Sequence, residues 1–137
     1  MERTFVIIKP DGFADGLVGN VLSRYEKAGL RIIAMELRTI EPGFADQHYW
    51  EHVGRDYYPA LREFMTEGPL VAVVLEGDDA IDRVRRLNGA TNPEAAEEGT
   101  IRADLAQSAR RNVVHASDSP VSSAAEISLW FPGLPTR

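Results

Sequence analysis

Two apolar runs constrain this chain more than any other feature. Phe5-Val6-Ile7-Ile8 and Leu70-Val71-Ala72-Val73-Val74-Leu75 contain no polar side chain and are rich in β-branched residues. Successive side chains of a strand point to opposite faces, so a run without polar alternation reads as a strand buried on both. Residues 32–40 behave differently. Ile33, Met35 and Leu37 alternate with Ala34, Glu36 and Arg38, the pattern of a half-exposed strand. A shorter strand is expected within Asn112 to Ala116, around Val113-Val114. Pro10-Asp11-Gly12 stops the first strand.

Helical spacing fills the gaps. Leu17, Val18, Val21, Leu22, Tyr25 and Ala28 share one face, and Gly29 closes the helix. Residues 44–67 read as two short helices broken between Gly54 and Pro59. Asp78 or Asp79 is placed to cap a helix running through Arg86-Leu87. Residues 90–105 read as a long loop, Ser122 to Ile127 as a brief helix, and the Pro-rich tail as irregular. The core order is βαββαβ. It predicts an α+β fold: a ferredoxin-like four-stranded antiparallel sheet with helices on one face. A doubly wound parallel sheet is the alternative, and the absence of G-x-G-x-x-G argues against it. The length, 137 residues, fits one domain over 1–137.

Charge and cysteine content narrow the function. There are 21 acidic residues against 15 basic, a net charge of −6, which disfavours a generic nucleic-acid coat. Zero cysteine removes thiolate chemistry, disulfides and Cys-ligated metals. No apolar run approaches the ~20 residues of a membrane span. The apolar stretch near the N-terminus is too short for a signal peptide, so the cytoplasm is the default compartment.

Lys9 and Lys27 are the only lysines. Lys9 sits where a buried strand opens into a turn, a place from which an ammonium can enter a cleft or merely reach solvent. His115 ends the two-valine strand in NVVHASDS, and small residues beside it leave room for a bulky group. Glu126 is a candidate to accept a proton from one ring nitrogen and free the other to attack, and Ser117 to donate to an anion. Arg85 and Arg102 flank the long loop with Thr91 between them, and Asn112 precedes the histidine strand. Arginine's planar fork suits phosphate, although most arginines are solvated surface charges. No P-loop motif is present. His48 and His52 share a face if their segment is helical, but no third ligand is evident and a metal site is disfavoured. Tyr49, Trp50, Tyr57 and Tyr58 read as packing or pocket aromatics, one of which can stack on a base.

Taken in order, TFVIIKPDG, GLVG, HYWEH, YYPALREFM, GPLVAVVLEG, GATNPEAAEEGTIRAD, NVVHASDS and EISLWF resemble the nucleoside diphosphate kinase family, from Arg3 to about Phe131. The resemblance implies the same ferredoxin-like fold and a ping-pong exchange. A nucleoside triphosphate, as its Mg²⁺ complex, gives its γ-phosphoryl to His115, and a nucleoside diphosphate then takes it. Carried over by position, His115 is the nucleophile, with Glu126 and Ser117 assisting. Lys9, Tyr49, Arg85, Thr91, Arg102 and Asn112 bind phosphates and ribose hydroxyl. Tyr57 stacks on the base, with broad base and sugar specificity. Magnesium arrives on the phosphates, without protein ligands. The resemblance also implies a homo-oligomer, hexamer favoured over tetramer. Trp50, Tyr58 and the WFPGLP tail are candidate contact elements, and burial within the monomer explains them equally well. No membrane or specific nucleic-acid partner is expected. Asp15, Ala103, Ala109, Ala116, Tyr57 and a short tail depart from the family pattern. Two other readings stand beside this one: a member kept for regulation or interaction without turnover, and a ferredoxin-like RNA-binding module, which needs exposed aromatics on a basic sheet.

Overall fold

The computed structural model describes residues 1–135. Four strands form the sheet: β1 (Glu2–Ile8), β2 (Arg31–Arg38), β3 (Leu70–Gly77) and β4 (Val114–Ala116). Their order is β2-β3-β1-β4, and every neighbouring pair is antiparallel. This is the expected ferredoxin-like arrangement, and it excludes the doubly wound alternative. The helices are α1 (Pro10–Ala14), α2 (Val18–Lys27), α3 (Pro42–His48), α4 (Tyr58–Thr66), α5 (Ala80–Asn88), α6 (Ile101–Leu105) and α7 (Pro120–Trp130).

The two apolar runs are the central strands, and the period of two sorts their side chains into two cores. Val6 and Ile8 of β1, with Val71, Val73 and Leu75 of β3, pack against Val21 and Tyr25 of α2 and Ala80 and Val84 of α5. Phe5, Ile7, Leu70, Ala72 and Val74 pack on the other side against Ala45 of α3, Phe64 and Met65 of α4, and Trp130 of α7. Helices therefore cover both faces, where one covered face was expected. All-apolar central strands leave no other solution, because each large apolar side chain taken from water contributes about 1.5–3 kcal/mol. A sheet closed on both faces has no platform on which RNA bases can stack, so the RNA-binding reading falls.

Several local features differ from the sequence reading. Pro10 stops β1 but also starts α1, at a position where its missing N–H costs nothing. The loop over 90–105 is partly ordered into turns. Asn92 Oδ1 accepts from the Glu94 amide to start a single 3₁₀ turn, Pro93–Ala95, and Thr100 Oγ1 accepts from the Ala103 amide to start α6. Neither Asp78 nor Asp79 caps α5. Asp79 adopts φ 51° and makes no capping bond, and Glu2 Oε1 instead accepts from the Ile81 amide at 2.9 Å. Ser119 caps α7, which runs on to Trp130. In β2 an irregularity between Ile32 and Ala34 shifts the alternation, leaving Met35 and Leu37 exposed at the sheet edge. Trp50 is exposed as expected for a contact element, whereas Tyr58 and Trp130 are buried in the monomer.

Candidate active site

The site is built on a strained turn before β4. Val113 adopts φ 73°, left-handed geometry that costs a β-branched residue about 1–3 kcal/mol. Three contacts hold it there. Its carbonyl accepts from the Lys9 amide at 2.7 Å, and its amide donates to Asp11 Oδ2 at 3.1 Å. Gly12 lies against it; a Cβ there would stand 3.0 Å from Ile8 Cγ2 and 3.1 Å from Val113 Cγ1. Asp11 is itself buried, and that burial raises its carboxyl above the usual range. The kink places Asn112 and His115, on either side of it, along one cavity of about 1180 Å³.

Lys9 enters that cavity from the end of β1. It is 8% exposed, and its Nζ donates to Asn112 Oδ1 at 2.8 Å. Burial, then the charge of Arg102, lowers its pKa from 10.5 to about 8, with Asp11 acting in the opposite direction. Asn112 is fixed in turn, its Nδ2 donating to the Thr91 and Ala109 carbonyls at 3.1 and 3.0 Å. Arg102, on α6, donates from Nη1 to the Gly89 carbonyl at 2.8 Å and from Nη2 to the Val114 carbonyl at 2.6 Å. Its Nε is buried without a protein partner, a donor still to be satisfied. Arg85 on α5 and Thr91 in the loop line the same cavity. Tyr49 and Tyr57 close another side. Tyr49 is buried, and burial keeps its phenol protonated well beyond neutral pH. Tyr57 is half exposed, with its hydroxyl bonded to His52 Nδ1.

Behind His115 lies a relay. Glu126 of α7 stands 3.3 Å from Nε2, and Ser117 Oγ donates to Glu126 Oε1 at 2.6 Å. An ionised carboxylate only accepts, so the ring proton sits on Nε2 and the Nδ1 lone pair is free. Ser117 is anchored by its amide, which donates to the Phe5 carbonyl at 3.0 Å.

The structure thus brings every sequence-assigned site residue to one cavity or to the relay behind it. His48 and His52 do not form the shared face considered for them. Helix α3 ends at His48, and the chain then turns, so His48 bonds to Trp130 while His52 bonds to Tyr57. Sequence reasoning missed Asp11, Gly12 and Val113, because KPDG reads as a simple stop and φ leaves no mark on composition. It also missed Gly89, whose φ is 84° and whose missing Cβ would fall 2.5 Å from Thr100 Oγ1. Among the departures, Ala109 lines the cavity, and Asp15 accepts from Gln107 at the surface.

Fold and cavity together define a class: an α+β protein that presents cations and a free imidazole nitrogen to one cavity. A family model described as nucleoside diphosphate kinase matches residues 2–135. The nucleoside diphosphate kinase of Nocardioides sp. is 60% identical over 96% of this chain and 98% of its own length. That of Clostridium perfringens is 52% identical over 96% and 92%. The crystal structure of the Aquifex aeolicus nucleoside diphosphate kinase superposes with a TM-score of 0.94 at 41% identity, covering 96% of each chain. That of Encephalitozoon cuniculi gives 0.94 at 34%, covering 100% of this chain and 95% of its own. The chain belongs to the nucleoside diphosphate kinase family. It is an enzyme of that type, a transferase of nucleotide metabolism that acts on nucleotides with a divalent metal. Among the described residues no helix is long and apolar enough to cross a membrane.

Proposed function

We propose that this single domain, 1–137, transfers phosphoryl groups through His115 in two half-reactions. The observation that carries the reading is the relay: Glu126 at 3.3 Å from Nε2, fixed by Ser117 at 2.6 Å, with Nδ1 left as the nucleophile. The Nδ1 lone pair forms a bond to the γ-phosphorus as the bond to the bridging oxygen breaks. The electron pair leaves on the nucleoside diphosphate, and a second diphosphate reverses the step. Glu126 accepts from Nε2–H throughout and stabilises the positive charge that the ring gains on phosphorylation.

Phosphoryl transfer asks mainly for in-line placement and charge stabilisation. Lys9, Arg85 and Arg102 supply charge to the phosphates. Tyr49 and Thr91 add neutral donors for phosphate and ribose hydroxyl. Asn112, whose two amide hydrogens are already given to the Thr91 and Ala109 carbonyls, holds Lys9 toward the phosphates and offers Oδ1 as an acceptor to a ribose hydroxyl. Tyr57 offers an exposed ring to the base, and a π-face distinguishes bases poorly, which fits broad specificity. The phosphate-facing groups are cations and neutral donors, so Mg²⁺ enters as part of the substrate, on the phosphates. A homo-oligomer, hexamer before tetramer, is supported by exposed Trp50 and by Met35 and Leu37 on the edge strand β2. The cysteine-free composition fits the cytoplasm.

Initial rates with both substrates varied test the mechanism. Parallel double-reciprocal lines, with a phosphoenzyme isolable when triphosphate is supplied alone, are expected. Intersecting lines with no phosphoenzyme contradict it. Native mass measurement tests assembly, and a monomer at micromolar concentration contradicts the oligomer.

A further inference from the structure

Trp130 and His48 form a pair that the mechanism above does not use. Trp130, buried at the end of α7, donates from Nε1 to His48 Nδ1 at 3.0 Å. It stands four residues after Glu126, on the same face of the helix. The His48 ring packs edge-to-face on His115, with centroids 4.8 Å apart and planes at 78°. A nitrogen of His48, one of His115 and a carboxylate oxygen of Glu126 all lie within 4.8 Å of one another.

That spacing alone suits a transition metal. Hydrogen bonding excludes His48 as a ligand. Indole N–H is a donor only, so His48 Nδ1 must accept, and the proton of the neutral ring sits on Nε2. Neither nitrogen then offers a lone pair to a metal. Burial, followed by the charges of His115, His52 and Lys9, holds His48 well below the usual imidazole range. The ring is therefore neutral at physiological pH and brings an N–H donor beside His115.

We infer that His48 is a positioning residue: Trp130 fixes its tautomer, and the fixed ring holds His115 edge-on with an uncharged donor beside the attacking imidazole. The inference rests on His115 as the nucleophile. A cation at His48 opposes the charge His115 gains on phosphorylation, and a missing ring lets His115 turn. The charged and titratable groups around His48 are Tyr49, Glu51 and His52 on its own turn, His115 on β4, Asp118 before α7, Glu126 on α7 and Lys9 at the end of β1. Losing the indole N–H removes a bond that only the neutral ring can accept. His48 then binds a proton more readily, and the effect grows as pH falls.

The test is Trp130→Phe, with kcat and KM measured from about pH 6 to about pH 9 across the imidazole range. Expected is a kcat within about threefold of wild type at the alkaline end and a ratio to wild type that falls steadily toward the acid end, with nucleotide KM unchanged. His48→Leu should lose about a hundredfold in kcat, again without a change in KM, the signature of lost transition-state placement. His48→Asn offers an amide oxygen to Trp130 and cannot titrate, but it lacks the ring that holds His115, so it should keep a kcat loss of the same order as His48→Leu at every pH and show no new acid limb. A Trp130→Phe profile parallel to wild type, or His48→Leu at wild-type kcat, overturns the inference. If Trp130→Phe does not fold, long-range proton–nitrogen NMR on the wild type decides. A proton on Nε2 of His48 across the range supports it, and a proton on Nδ1 overturns it. Phosphate label absent from His115 refutes the nucleophile itself, while the His48 tautomer remains measurable on its own.

Discussion

Replacing Lys9 by Met should stabilise the fold and abolish turnover. The ammonium is 8% exposed and has one protein hydrogen bond, to Asn112 at 2.8 Å. Burial lowers its pKa from 10.5 to about 8, a difference that corresponds to about 3 kcal/mol against the charged form. The sign follows from proton counting. Between these values the unfolded chain holds the proton and the folded chain releases it, so stability rises with pH across that window. Below pH 8 the whole cost is present; at pH 9.5 linkage leaves about 1.4 kcal/mol of it. Methionine ends one atom short of the ammonium, removes the charge and gives up the Asn112 bond, worth about 2 kcal/mol from a charged donor and about 1 kcal/mol from the neutral amine. The variant should gain about 1 kcal/mol at pH 7 and almost nothing at pH 9.5. Urea denaturation at both pH values and one fixed protein concentration measures this. Turnover should fall at least about a hundredfold, because a preorganised charge on the transferring group is gone. A variant less stable than wild type at pH 7, or a gap that does not narrow with pH, refutes the reasoning.

Two further substitutions probe the scaffold. Asp11→Ala leaves the buried Val113 amide without its acceptor and should cost about 1–3 kcal/mol with a fall in kcat, whereas Asp11→Asn keeps an acceptor and should cost under about 1 kcal/mol in the same denaturation assay. Gly89→Ala forces a Cβ to within 2.5 Å of Thr100 Oγ1 at φ 84° and must move the carbonyl that anchors Arg102. It should lower stability by about 1–3 kcal/mol and raise nucleotide KM, as read by denaturation and steady-state kinetics.

Much of this was legible in the sequence for definite physical reasons. FVII and LVAVVL lack polar alternation, and only a central strand covered on both faces accommodates that. The residues proposed to touch phosphate or carry it, Lys9, Arg102 and His115, are chemically distinctive, so their type and order survive in one dimension. What stayed hidden depends on conformation or on distant contacts. Val113 is an ordinary valine until its φ of 73° is known. The cap of α5 comes from Glu2, 79 residues away, and no local pattern announces it. Met35 and Leu37 read as inward-facing until the irregularity in β2 shifts the alternation. The histidines of HYWEH looked like a helical pair, but α3 stops at the first of them. His48 then finds a partner 82 residues on, in a helix expected to end before it.

The central claim is that His115 carries the phosphoryl group. Wild type and His115→Gln, each incubated with γ-labelled nucleoside triphosphate and no acceptor, test it most directly. The account predicts acid-labile, base-stable label on the wild-type protein, discharged by added nucleoside diphosphate, and none on the variant. Label that persists on His115→Gln, or wild type that turns over without ever acquiring label, contradicts it.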